Sequence, residues 1–193
     1  MCFTPTFAAT GAGERMSAKA VLLRGVNVGG TGKLPMAGFR SMLEELGLQR
    51  VQTYIQSGNA VLDTDLAPGV LGPMIRDALA ARFDISPHVF VLTAAEIASA
   101  LAEHPFADAD PARIHVFFLQ TTPTPDEDAL RALALPGDAW HVGPRRFTLH
   151  TPGGIGRSKL AERLDQLLPG PMTARNLRTV AALDRLLADL SHP

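Results

Sequence analysis

Four short segments of this sequence gather the residue types that hold an anion or move a proton. Arg24-Gly25-Val26-Asn27-Val28-Gly29-Gly30 sets a cation and an amide ahead of a glycine-rich loop. Tyr54-Ile55-Gln56-Ser57-Gly58-Asn59 places a phenol, a hydroxyl and two amides around a glycine. Gly154-Ile155-Gly156-Arg157-Ser158-Lys159-Leu160 brings a lysine to a helix start behind glycines. Free backbone N–H groups and the positive end of the helix dipole suit a phosphate or carboxylate there. It is not a nucleotide P-loop, because the spacing GxxxxGK[ST] is absent. Thr173-Ala174-Arg175-Asn176-Leu177-Arg178-Thr179-Val180 leads into the last helix in a similar way. Structural explanations stand beside each: turn chemistry for Ser57-Gly58-Asn59, and helix capping for Ser158, Thr173 or Asn176. The candidate ligand-binding residues are Arg24, Asn27, Tyr54, Ser57, Asn59, Ser158, Lys159, Arg175 and Asn176. No Ser-His-Asp or Cys-His constellation, HExxH spacing or paired carboxylates are visible, so no catalytic residue is assigned.

The elements that must position these residues follow from hydrophobic periodicity. Residues 20–26 form a strand that ends in the glycine loop. Pro35 opens a helix with Met36, Phe39, Met42, Leu43 and Leu46 on one face, closed by Gly47. Residues 51–56 and 60–63 make a hairpin around Ser57-Gly58-Asn59. A helix carrying Leu71, Ile75, Leu79 and Phe83 leads to a strand at 88–92. A linker helix spans 96–103. The order then repeats: a strand at 113–120, a helix near 126–135, a hairpin of 139–142 with 147–150, a helix at 158–168 and a short strand at 171–174. A final helix carries Val180, Leu183, Leu187 and Leu190. The reading is α+β, a tandem duplication of a ferredoxin-like βαββαβ (α/β-plait) unit at a spacing of roughly 90 residues. The expected organisation is a disordered extension over 1–16, a first unit over 17–92, a linker helix and loop over 93–112, and a second unit with the terminal helix over 113–193.

Such a unit covers one sheet face with its own helices and leaves the other free. Side chains alternate along a strand, so parity sorts them. Thr53, Ile55, Ala60 and Leu62 are assigned to the helix side in the first unit, with Arg24, Tyr54 and Gln56 opposite. In the second unit Ile114, Val116 and Phe118 are assigned inward, as are Trp140, Val142, Phe147 and Leu149. Arg113, His115, Phe117, His141, Arg146, Thr148 and His150 are assigned outward. A metal site on His115, His141 and His150 is geometrically conceivable, but no carboxylate supports it and no metal is assigned. Three readings of the free faces stand. They line an interdomain ligand groove, they are solvated or packed on the linker helix, or they form a base-stacking RNA platform.

Bulk composition narrows the field. The 193 residues carry 18 basic and 19 acidic side chains, for a net charge of -1. That balance disfavours a general nucleic-acid binder. A single cysteine, Cys2, excludes an internal disulfide and suits a reducing cytoplasm. No apolar run approaches the ~20 residues of a membrane span.

Together the four motifs resemble the bacterial family known as domain of unknown function 1697. The resemblance runs over about residues 20–190, and the motifs occur together in order. It implies two tandem α/β-plait units and no established activity. The sequence departs from that pattern at Leu177, where tryptophan is usual, and at His104, where asparagine usually precedes Pro-Phe. The favoured function is binding of a small anionic, nucleotide-like ligand at an interdomain groove, without a cofactor, in a monomer or weak dimer. The alternatives are an enzyme of unrecognised type in the same groove, with Tyr54 or a sheet histidine moving protons, and an RNA-interaction module.

Overall fold

The computed structural model describes residues 16–27 and 33–191. The extension expected over 1–16, apart from Met16, lies outside them, as does the centre of the glycine loop. The first unit runs β1 (Ser17–Leu23), α1 (Met36–Glu45), β2 (Gln49–Tyr54), β3 (Asn59–Thr64), α2 (Pro68–Phe83) and β4 (Val89–Thr93). After α3 (Ala94–Ala102), the second runs β5 (Ile114–Leu119), α4 (Glu127–Leu133), β6 (Ala139–Gly143), β7 (Arg146–His150), α5 (Lys159–Leu167) and β8 (Met172–Asn176). The chain closes on α6 (Leu177–Ser191). The strand orders are β2-β3-β1-β4 and β6-β7-β5-β8, antiparallel throughout. These are two copies of the split βαβ arrangement.

Each sheet packs one face on its own helices. Val21, Leu23, Val51, Ala60 and Leu62 meet α1 and α2. Phe117, Leu119, Phe147 and Leu149 meet α4 and α5. The other faces are not open. Ala20, Leu22, Phe90 and Leu92 of the first sheet share one core with Ile114, Val116 and Phe118 of the second. That core is filled by Ile97 and Ala100 of α3 and by Val180, Leu183, Leu187 and Leu190 of α6. The layering is therefore α1/α2, sheet, α3/α6, sheet, α4/α5. So many apolar side chains on a sheet face require cover, and α3 and α6 supply it. Aromatic residues of a base-stacking platform would have to come from these faces, where Phe90 and Phe118 are buried and Tyr54 packs against the same core.

This layering corrects two assignments of side-chain direction. In β5, Ile114, Val116 and Phe118 face α3 and α6, whereas Phe117 faces the unit's own helices. The strand is apolar at both parities because both its faces are covered, so alternation could not choose between them. Ile55 does not point inward: β2 ends at Tyr54, and Ile55 is an exposed turn residue with φ of 47°.

Polar contacts fix the middle layer. Arg50 sits at a register shift in β2 with φ of 50°. Its guanidinium donates to the carbonyls of Asp189, at 2.9 Å, and of Leu190, capping the negative end of α6. On the other side, buried Arg146 of β7 donates to Ser99 Oγ at 2.9 Å and Glu103 Oε2 at 2.6 Å. Neighbouring Arg145 reaches Glu96 Oε1 at 2.6 Å. One side of α3 thus grips the β6–β7 hairpin while its other side enters the core.

Candidate functional site

Three of the four motifs meet at one junction between the units. β1 ends at Leu23, and Gly25 and Asn27 turn the chain with φ of 74° and 55°. The Asn27 side chain accepts from the Leu34 amide at 2.8 Å and donates to the carbonyls of Leu34, at 2.9 Å, and Gln56, at 2.7 Å. It clips the base of the glycine loop to the β2–β3 turn. Gly58 lies against the same strand exit, and the Leu23 amide donates to its carbonyl at 2.8 Å. Asn59, fully buried, donates to Tyr54 O at 3.0 Å and Ser57 Oγ at 2.9 Å.

Arg175 enters this junction from β8 of the other sheet. Its Nε donates to Asn59 Oδ1 at 2.5 Å. Nη1 donates to Thr173 Oγ1 at 2.9 Å and Ala174 O at 2.7 Å, and Nη2 to Leu23 O at 2.9 Å and Ser57 O at 3.0 Å. A guanidinium has five N–H donors, and each has a protein acceptor. None of these acceptors is a carboxylate, so burial pushes the Arg175 pKa down to about 10. Arg175 is a saturated joint between the units, with a positive charge that no anion at the joint offsets.

Beside the joint runs a groove of about 430 Å³. One wall is Leu23, Arg24, Gly25, Val26 and Ser57; the other is α5 and β8, with Ala161, Glu162, Asp165, Met172, Thr173 and Arg175. Arg24 crosses it to pair with Asp165 Oδ2 at 2.8 Å, with 36% and 59% of the two side chains exposed. Exposed pairs of this kind contribute about 0–1 kcal/mol, so a ligand can displace the carboxylate. Ser57 Oγ and Thr173 Oγ1 already accept hydrogen bonds, and among the described residues no histidine, lysine, tyrosine or cysteine lines the groove.

The structure thus brings Arg24, Ser57 and Arg175 together on the groove, with Asn59 behind them and Asn27 at the neighbouring loop. It does not bring the rest. Ser158 caps α5, accepting from the Ala161 amide at 3.1 Å. Lys159 is exposed on the first turn and does not line the groove. Asn176 caps α6, accepting from the Thr179 amide at 2.9 Å. Tyr54 packs on the central core. The three sheet histidines also separate. His141 pairs with Thr148, and His150 with Ile114, on the α3/α6 face. His115 pairs with Leu149 on the opposite face. Asp165 and Glu162 were missed, since carboxylates on an amphipathic helix read as solvated surface; only contact across the fold marks them.

Two histidines tie stability to pH. Burial lowers the His115 pKa, and burial, with the charges of His141 and Arg146, lowers that of His104. His104 Nδ1 accepts the Phe106 amide at 3.1 Å, a bond that only the unprotonated nitrogen makes. The unfolded chain therefore takes up protons first. Stability is full above the ordinary histidine value of 6.5 and falls as pH drops from there through the lowered folded values. Urea midpoints at pH 7.5 and 5.5 are expected to show that loss. His104→Asn, which keeps an acceptor for the Phe106 amide, should hold the pH 7.5 midpoint and shrink the difference. An undiminished difference would assign it to other groups.

The family model described as "Protein of unknown function (DUF1697)" matches residues 16–147. The chain belongs to this family. A solved structure of the conserved bacterial protein SP0830 from Streptococcus pneumoniae is similar over 89% of this chain and 99% of that one, at 25% identity and a TM-score of 0.68. No curated protein matches. The family's description names no activity. Both departures from its usual motifs have a place in the fold. Leu177 begins α6 and is buried in the central core. His104 accepts the amide two residues on, as an asparagine side chain does in an Asx turn.

Proposed function

We propose that this family member is a small-ligand-binding protein, taking an anionic, nucleotide-like molecule in the groove between Arg24 and α5. The observation that carries the reading is Arg24 reaching across the groove to a carboxylate that an anion can replace, beside the uncompensated charge of Arg175. Arg24 contacts the anion directly. Arg175, with every N–H already used, contributes potential and rigidity only. Leu23, Val26 and Met172 supply apolar wall for the remainder of the ligand. The volume lies within the range of about 300–1,000 Å³ typical of small-molecule sites. Among the described residues no helix is long and apolar enough to cross a membrane. We place the protein in the cytoplasm as a monomer or weak dimer.

Calorimetric melting with nucleoside monophosphates and inorganic phosphate tests the proposal. A bound ligand raises Tm by mass action. Arg24→Gln is expected to weaken that ligand about ten-fold or more, the effect of losing a charge-assisted hydrogen bond. Asp165→Asn should bind at least as tightly as the wild type. Equal affinity for the nucleoside monophosphates in the wild type and Arg24→Gln would refute the site.

A further inference from the structure

A second depression, of about 270 Å³, lies where α2, the outer edge of β4 and the β6–β7 turn meet. It shares no lining residue with the groove. Among the described residues its ionisable lining side chains are Arg76 of α2, His88 just before β4 and Arg145 of the turn, and no carboxylate lines it. We propose that this is a separate binding site for a small multiply charged anion of the phosphate, pyrophosphate or phosphate-monoester class.

Several features converge on that chemistry. Gly69 and Gly72 leave backbone bare on the α2 wall between Pro68, Pro73 and Arg76, and a Cβ at Gly69 would meet nothing within 4 Å. The first turn of α2 has neither an acidic residue nor a side-chain cap, so its positive end is not neutralised. β4 is an edge strand, and backbone groups on its outer side have no ladder partner. Arg145 is held with φ of 51° by its amide bond to Thr122 Oγ1 at 3.0 Å, and its Nε is buried without an acceptor. The positive φ belongs to the two-residue turn of Pro144 and Arg145, and the side chain, paired with Glu96 and 40% exposed, keeps one donor free for an anion. Glu96 and Asp77 pair with Arg145 and Arg76 without lining the cavity, and so orient the cations rather than occupy the site. The volume falls below that of typical organic-ligand pockets, which suits a charged head and not a whole nucleotide. Because Arg76 and His88 belong to the first unit and Arg145 to the second, an anion here would bridge them.

Pyrophosphate titrated into the full chain, followed by amide chemical shifts and by heat, tests the site. The Gly69, Gly72 and Val89 amides are expected to shift. Arg76→Gln and Arg145→Gln should each weaken binding at least ten-fold, with the exposed Arg163→Gln unchanged. Arg76 is itself exposed, so Arg76→Gln keeps the test valid if Arg145→Gln disturbs the hairpin. Absence of those shifts overturns the proposal. So does pyrophosphate binding that Arg24→Gln abolishes and Arg76→Gln leaves intact, which would transfer the anion to the groove.

Discussion

Arg175→Met is expected to destabilise the protein by about 3 kcal/mol or more, since several buried acceptors lose their donor and each unsatisfied group costs about 1–3 kcal/mol. The substitution keeps much of the apolar stem but leaves Leu23 O, Ser57 O and Asn59 Oδ1 facing a thioether. These acceptors belong to the first unit, whereas Arg175 belongs to the second, so the loss falls on the contact between them. Arg175→Lys should recover only part of it, since an ammonium has three donors and lacks the planar fork. Urea unfolding measures both. A loss below about 1 kcal/mol in Arg175→Met would mean that the acceptors find water, and that the joint is looser than its hydrogen bonds imply.

Gly58→Ala should cost about as much, by a different route. A Cβ there would stand 2.4 Å from Val26 Cγ2 and 2.9 Å from Leu23 Cβ, on a residue with φ of 72°. Overpacking and left-handed strain each cost about 1–3 kcal/mol, so a total near 3–5 kcal/mol is expected. Gly25→Ala is the matched control. Its φ of 74° is nearly the same, but nothing lies within 4 Å of the added carbon. It should lose only the backbone share, about 1–2 kcal/mol. Similar losses in the two variants would contradict the close packing of the β2–β3 turn on the strand exit.

The fold was legible because its elements carry clear periods. The leucines of α5, the Met36–Phe39–Leu43 face of α1 and the paired hairpins each point to one element type, and their order points to a duplicated plait. The direction of β5 was not legible, since 114–119 is apolar on both faces and only the position of α3 and α6 decides which face meets which layer. Cover of the free faces by the linker helix was one of the readings open to the sequence, but the share of α6 was not visible: it reads as an ordinary amphipathic helix, and nothing local says that it lies between two sheets. The candidate site was legible in part. Arg24, Ser57 and Arg175 stood out by residue type and meet in space. Their roles did not, because the five acceptors of Arg175 include backbone carbonyls from a strand end and a turn more than a hundred residues away, which no motif encodes. Lys159 and Asn176 stood out equally and lie at helix starts where capping and solvent explain them.

Native mass spectrometry of the protein purified without added ligand tests the groove most directly. The expected result is a small acidic adduct on the wild type, lost in Arg24→Gln and kept in Arg76→Gln. An adduct retained by Arg24→Gln, or a bare wild-type mass together with no Tm response to nucleoside monophosphates or phosphate, would contradict anion binding between Arg24 and α5.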